Sequence, residues 1–206
     1  MGGGAMNLEE ALRRIPTYSQ ELGLDLHEPQ DRFKWLLASI LFAKRISSEI
    51  AKRTFRRFME EGLDTPEGIL EAGWDRLVEV LDSGGYVRYD FSTASNLLEA
   101  MGRLLRAYGG LEALYEGAEG PRDLEGRLRS LKGFGPVGVN IFLRELRDIW
   151  PKADPEPSDI ALEMAEKLGL RDPKPHESAL VRIYLEFCKR RRCDECPVGD
   201  WCGERG

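Results

Sequence analysis

Histidine is scarce. The 206-residue chain holds two, His27 and His176, each alone in a polar stretch expected to face solvent. A His–Glu zinc motif is therefore excluded, and no phosphate-cradling P-loop appears. No stretch approaches the ~20 apolar residues of a membrane span, so no membrane partner is expected. Strand-like alternation of apolar and polar residues is absent. A basic excess is lacking too: 30 Lys+Arg against 36 Asp+Glu leave a net charge of −6, which runs against the usual nucleic-acid-binding domain. The Gly-rich start, Met1 to Met6, has neither a basic region nor an apolar core. It is not a signal peptide and reads as an extension before a start at Met6. A cytoplasmic monomer, nucleoid-associated in a prokaryote, is the expectation.

What is present is helical periodicity. Phe33, Leu36, Leu37, Ile40 and Leu41 recur at three- and four-residue spacing, as do Leu97, Leu98, Met101, Leu104 and Leu105. Ile50, Phe55 and Phe58 follow less regularly, and Leu180, Ile183, Tyr184 and Phe187 make a further stripe. Trp35, Trp74 and Trp150 fall in such stripes and are expected in the core. Ser47 ahead of Glu49 and Ile50 opens a helix. Thr65-Pro66-Glu67 reads as an N-cap with Pro at the first helical position. Ser83-Gly84-Gly85 stops the helix before it. Pro151 to Pro157 is an extended connector, and Pro173 and Pro175 mark a loop. The fold class is all-α.

The deficit of positive charge is not uniform. Lys44, Arg45, Lys52, Arg53, Arg56 and Arg57 cluster, and Lys189 to Arg192 form an unbroken basic run. Solvated helix faces and a polyanion surface both account for such clusters. Leu131-Lys132-Gly133-Phe134-Gly135-Pro136-Val137-Gly138-Val139 links an apolar helix with Leu124 and Leu128 to a second one. Gly133 and Gly135 are expected to allow a turn too tight for other residues, with Pro136 opening the next helix. Amides at that helix start suit a phosphate, held directly or through a monovalent cation. This is the pattern of a helix-hairpin-helix, a sequence-independent clamp on the DNA backbone; a plain helical turn is the simpler reading.

All the cysteines lie between residues 188 and 202, as Cys188-x4-Cys193-x2-Cys196-x5-Cys202. Four thiolates on a short loop suit one metal centre, a [4Fe–4S] cluster or zinc. A disulfide pair is the alternative, which reducing cytosol disfavours.

With these features in order, the chain from about Asp31 to Cys202 resembles the endonuclease III branch of the helix-hairpin-helix DNA glycosylases. The last two cysteine intervals look like that family's [4Fe–4S] loop, although the first interval here is shorter. The resemblance implies a [4Fe–4S] cluster on Cys188, Cys193, Cys196 and Cys202. It also implies phosphate contacts by Lys189, Arg190, Arg191 and Arg192, and a backbone clamp at Gly133, Phe134, Gly135, Val137 and Gly138. Leu36 to Lys44 looks like the family's first core helix, which leads into a loop that probes the space left by an extruded base. Lys44 stands where Gln is common, with Arg45 beside it. Gly84-Gly85-Tyr86 resembles the turn that carries a second wedge, and Tyr86 and Tyr89 around Arg88 are candidates to stack on a base.

The resemblance implies two helical subdomains, with residues 31–147 carrying the hairpin and residues 1–30 packing with the cluster-bearing 148–206. The implied partner is double-stranded DNA containing a damaged or mismatched base. Two positions depart from the family pattern. Val137 stands where bifunctional members carry a Schiff-base Lys. In the register of the family's Asp stands Ser158, with Asp159 one residue on; Glu156 and Asp154 are weaker substitutes. Helix capping by Ser158 or Asp159 is the plain reading, and catalysis by Asp159 the functional one. The resemblance thus implies a monofunctional glycosylase that hydrolyses an N-glycosidic bond. The alternative is a non-catalytic member that binds DNA lesions or structures.

Overall fold

The computed structural model describes residues 6–203, so the Gly-rich leader ahead of Met6 lies outside the described residues. Among these the chain is helical, with no strand. No described helix is long and apolar enough to cross a membrane. The chain divides into two compact units. One is Leu22–Pro155; the other joins the residues up to Glu21 with those from Glu156 onward.

The Leu22–Pro155 unit holds seven α-helices among its described residues: α3 (Pro29–Phe42), α4 (Ser48–Glu60), α5 (Pro66–Gly84), α6 (Asp90–Arg103), α7 (Leu111–Glu116), α8 (Pro121–Arg129) and α9 (Pro136–Arg144). Their starts follow local chemistry. Ser47 and Thr65 cap α4 and α5, each side chain accepting the N–H three residues on, and Pro66 takes the first position of α5. Helix α3 is the central element. Trp35, Leu36, Leu37, Ile40 and Leu41 on it are all buried, and it packs on both α4 and α9. The Trp35 indole N–H donates to the Phe142 carbonyl at 3.2 Å, tying α3 to α9. Each fully buried Leu or Phe side chain here is worth about 1.5–3 kcal/mol relative to exposure.

The terminal unit comprises α1 (Leu8–Arg13), α2 (Tyr18–Glu21), α10 (Asp159–Leu168), α11 (Glu177–Glu186) and three short 3-10 turns that follow α11, with a fourth at Lys174–His176. Asn7 and Glu10 close a capping box on α1. Ala161, Met164, Ala165 and Leu168 make one apolar face of α10 and meet Leu180 and Ile183 of α11 in the core. The Arg182 guanidinium pairs with Glu21 and Glu186 and lies over the Tyr18 ring, which fixes α2 against α11. His176 is buried, contrary to the exposure expected of a polar loop. Its turn packs against α1.

Candidate functional site

The turn between α8 and α9 is built from inward and outward residues in alternation. Leu131 and Phe134 are buried, while Lys132, Gly135, Pro136 and Val137 are exposed. Gly133 has φ +78°, a left-handed conformation that L side chains rarely adopt, and a Cβ there would stand 2.8 Å from the Asn96 amide nitrogen of α6. Glycine at 133 is therefore required twice over. The Phe134 ring meets Phe142 edge-on at 6.1 Å. Gly138 allows that packing, because a Cβ on it would approach the Phe134 ring to 2.7 Å and the Ala43 Cβ to 3.4 Å.

One expectation is corrected here, the need for glycine at position 135. Phe134 and Gly138 are internal supports, and their side-chain positions do not face solvent. Gly135 has φ −79°, an ordinary extended value, and a Cβ on it would meet nothing within 4 Å. The turn does not demand glycine there. What the missing Cβ leaves is open access to the start of α9, where no side chain caps the helix. The N–H groups of Val137 and Gly138 are among those a helix leaves without an internal acceptor. Val137 itself is 62% exposed.

Basic residues stand on the neighbouring elements. Ala43, which touches the Gly138 position, leads directly into Lys44 and Arg45. The Lys44 amine lies 6.0 Å from the Tyr89 ring centroid, and the Arg88 guanidinium 5.6 Å. Tyr86 does not join them. It is fully buried, and its hydroxyl donates to the Leu41 carbonyl at 2.8 Å. Burial, with the neighbouring Tyr89, pushes its phenol well above the usual tyrosine range. The reason is local: Gly85 ends α5 in a left-handed conformation, and the Tyr86 N–H bonds back to the Leu81 carbonyl. In that cap the next residue turns into the core. The exposed members of this turn are Val87 and Arg88, with Tyr89 half-buried.

Trp74 also departs from expectation. It is 40% exposed, beside the exposed Phe91 at 5.4 Å between ring centroids. Its indole N–H donates to the Ser95 hydroxyl.

In the terminal unit, Ser158 occupies the cap position of α10, but its side chain makes no capping bond. Its Oγ is buried without a partner among the described residues. The cap comes instead from α11: the Ser158 N–H donates to Glu177 Oε1 at 2.9 Å, and Glu177 is 1% exposed. Capping by the side chain of Ser158 or Asp159 is thereby overturned. Asp159 begins α10, is exposed, and has no hydrogen-bond or ion-pair partner among the described residues. Glu156 and Asp154 are exposed in the connector.

The cysteines sit on the three 3-10 turns after α11. Cys188 and Cys193 begin the turns Cys188–Arg190 and Cys193–Glu195; Cys196 and Cys202 follow the second turn and the turn Gly199–Trp201. All four are thiols, not disulfides. Burial, and then the nearby Cys196, Cys202 and Cys193, push the Cys188 thiol up, while Lys167 acts the other way. Its sulfur lies 3.9 Å from the Met164 thioether. Among the described residues, no group of three or more His, Cys, Asp or Glu forms a ready cage for a metal ion.

Between Cys188 and Cys193 runs the basic stretch, all exposed. Arg191 has φ 54°, the single non-glycine positive φ among the described residues. It closes a cap in which the Arg192 N–H reaches the Phe187 carbonyl and its own N–H reaches Cys188. Arg192 is engaged with Glu195. Lys189, Arg190 and Arg191 make no ion pair among the described residues.

No family model matches the chain, and no curated protein matches it.

Proposed function

We propose that this protein is a DNA repair glycosylase of the helix-hairpin-helix superfamily, in its endonuclease III-like branch. In this reading it hydrolyses the N-glycosidic bond of a damaged or mismatched base in double-stranded DNA. The observation that carries the reading is the α8–α9 turn. A left-handed Gly133, an open backbone at Gly135 and an uncapped α9 start beside Lys44 and Arg45 suit a phosphate diester. A monovalent cation at the same amide-rich turn is a second way to hold that phosphate. The exposed Lys189, Arg190 and Arg191 supply further sequence-independent attraction, so a net-negative chain still has basic surfaces for DNA.

The donor set of Cys188, Cys193, Cys196 and Cys202 fits a [4Fe–4S] cluster. All four are soft thiols on one short loop, near enough for their charges to act on Cys188. A single zinc ion would take the same four thiolates at about 2.3 Å. A four-iron cluster would take one thiolate per iron from Cys188, Cys193, Cys196 and Cys202. When bound it supplies a rigid crosslink that holds the basic stretch between Cys188 and Cys193.

The chemistry on the DNA then falls to a carboxylate. An extruded base leaves through a cationic, sugar-centred transition state, which a fixed negative charge stabilises while water attacks. Asp159, exposed and unpartnered at the start of α10, is the group for that role. Val137 has no amine, so no Schiff base forms at the turn and the product is an abasic site. A non-catalytic lesion- or structure-binding protein is the second reading. It is favoured by Ser158 standing where the family carries Asp.

The test is a panel of duplexes, each with a single lesion or mismatch, assayed for free base release. Release from one member supports the enzyme; binding without release across the panel supports the second reading.

A further inference from the structure

The ends of α6 and α8 are joined at Ser130. Its hydroxyl donates to the Arg127 carbonyl at 2.6 Å and accepts from Arg103 Nε at 3.0 Å. With its one proton used, it accepts from the Tyr108 hydroxyl at 3.1 Å. The Arg127 guanidinium pairs with Asp123 and lies over the Tyr108 ring. After Arg103 the helix widens into one π turn, Leu104–Tyr108, closed by a left-handed Gly109. Such turns are frequent at functional sites. This one brings Arg106 over Gly102, where a Cβ would stand 2.7 Å from Arg106 Nη1. Glycine at 102 leaves the room in which that guanidinium rests.

Arg103, Arg106 and Arg129 are exposed, and none makes an ion pair among the described residues. Acids stand one turn ahead of two of them, Glu99 before Arg103 and Glu125 before Arg129, yet neither pair closes. By contrast Arg57, Arg76 and Arg192 are each paired with a Glu three residues on. Cations gathered without an acid between them repel one another, a cost that a bound polyanion removes. A merely solvated arginine would not be fixed by a half-buried serine. Two residues past Ser130 the exposed Lys132 enters the α8–α9 turn, so the cluster is continuous in sequence with that turn.

Resting on the DNA reading, we propose that Arg103, Arg106 and Arg129 form a second phosphate-contact site, which grips the DNA backbone on the Lys132 flank of the α8–α9 turn. Ser130 is its positioning residue. The bond at Nε fixes the plane of the Arg103 guanidinium and leaves its Nη groups to take two oxygens of one phosphate. These contacts carry no base preference. They widen the footprint of the turn without adding any group to the chemistry.

The test is equilibrium binding to labelled, undamaged duplexes at several salt concentrations, with urea midpoints as the control for folding. Joint replacement of Arg103, Arg106 and Arg129 by Ala should lower the salt slope by about three units on every sequence alike. Arg106→Glu with Arg129→Glu removes no hydrogen bond, so the protein stays folded, and should lower the slope by about two units or more. Ser130→Ala keeps every charge and should still weaken binding, while Ser130→Thr, which restores the hydroxyl, should recover it. An unchanged slope in both arginine variants, with wild type binding DNA, overturns this inference and leaves the DNA reading intact. Wild-type affinity in Ser130→Ala overturns the positioning role. A wild type that binds no duplex overturns the DNA reading and this inference with it.

Discussion

The buried carboxylate of Glu177 receives the backbone N–H of Ser158 at 2.9 Å and so holds the start of α10 against the start of α11. A charged acceptor at a helix start is worth more than a neutral one, and its loss strands a donor in a dry site. Glu177→Ala should cost about 2 kcal/mol of unfolding free energy. Ser158→Ala should cost almost nothing, since its Oγ is buried without a partner. Urea titration of both variants checks this; a Ser158→Ala loss as large as that of Glu177→Ala would restore the serine as the cap.

The two turn glycines should separate folding from binding. Gly133→Ala forces a side chain into a left-handed backbone and against Asn96, and should destabilise the protein by about 1–3 kcal/mol. Gly135→Asp meets open space and an ordinary φ. It should keep its thermal stability while losing DNA affinity by tenfold or more, about 1.4 kcal/mol, because its charge stands where phosphate would approach. Circular dichroism and fluorescence anisotropy on labelled duplex measure the two effects. Normal DNA binding by a folded Gly135→Asp would remove the turn from the interface.

Arg191 trades stability for charge. Its left-handed backbone costs about 1–2 kcal/mol relative to glycine, so Arg191→Gly should raise stability by about that much. The same substitution should weaken binding to all duplex sequences alike and lower the salt slope by about one unit. A joint Lys189, Arg190 and Arg191 replacement by Ala should lower it by about three. Arg192→Ala should matter less, since that guanidinium already serves Glu195. Binding isotherms at several salt concentrations decide; an unchanged slope in the triple variant would make the stretch a solvated loop.

Much of the helical frame was legible from local signals. Ser47, Thr65-Pro66 and Gly85 act through groups within a few residues of themselves, and the buried stripes of α3 and α6 follow their spacing. Two of the misreadings share one physical cause, contacts made by residues far apart in the chain. Glu177 caps a helix 19 residues earlier, and the His176 turn is buried against α1. Trp74 falls on an apolar stripe yet is left partly open beside Phe91. Tyr86 is different. Its burial follows from the left-handed cap at Gly85, a local rule that places the next apolar residue inward. Gly135 shows the converse, since a Gly-x-Gly spacing does not reveal which glycine the backbone needs.

His176 gives the terminal unit an acid sensitivity. Burial, and the Arg13 guanidinium beside it, hold its imidazole below the ordinary value of 6.5, while Glu9 and Asp172 act in the other direction. The unfolded chain therefore takes up this proton before the folded one does. Stability is full above the ordinary value and is lost as pH falls through the depressed one. His176→Gln should flatten that part of the profile. Urea midpoints at about pH 7.5 and about pH 5 measure it; an equal acid loss in wild type and variant would assign the sensitivity elsewhere.

The central claim is hydrolytic base release by a carboxylate at the start of α10. Asp159→Asn keeps the shape and removes the charge, and the Asp159 side chain makes no hydrogen bond or ion pair among the described residues. The deciding measurement is single-turnover base release by wild type and Asp159→Asn on the duplex that the lesion panel identifies, with binding measured in parallel. The account predicts unchanged binding, no borohydride-trapped adduct, and a rate loss of about 100-fold or more. Full activity in Asp159→Asn, or a wild type that binds every lesion and releases none, would contradict it.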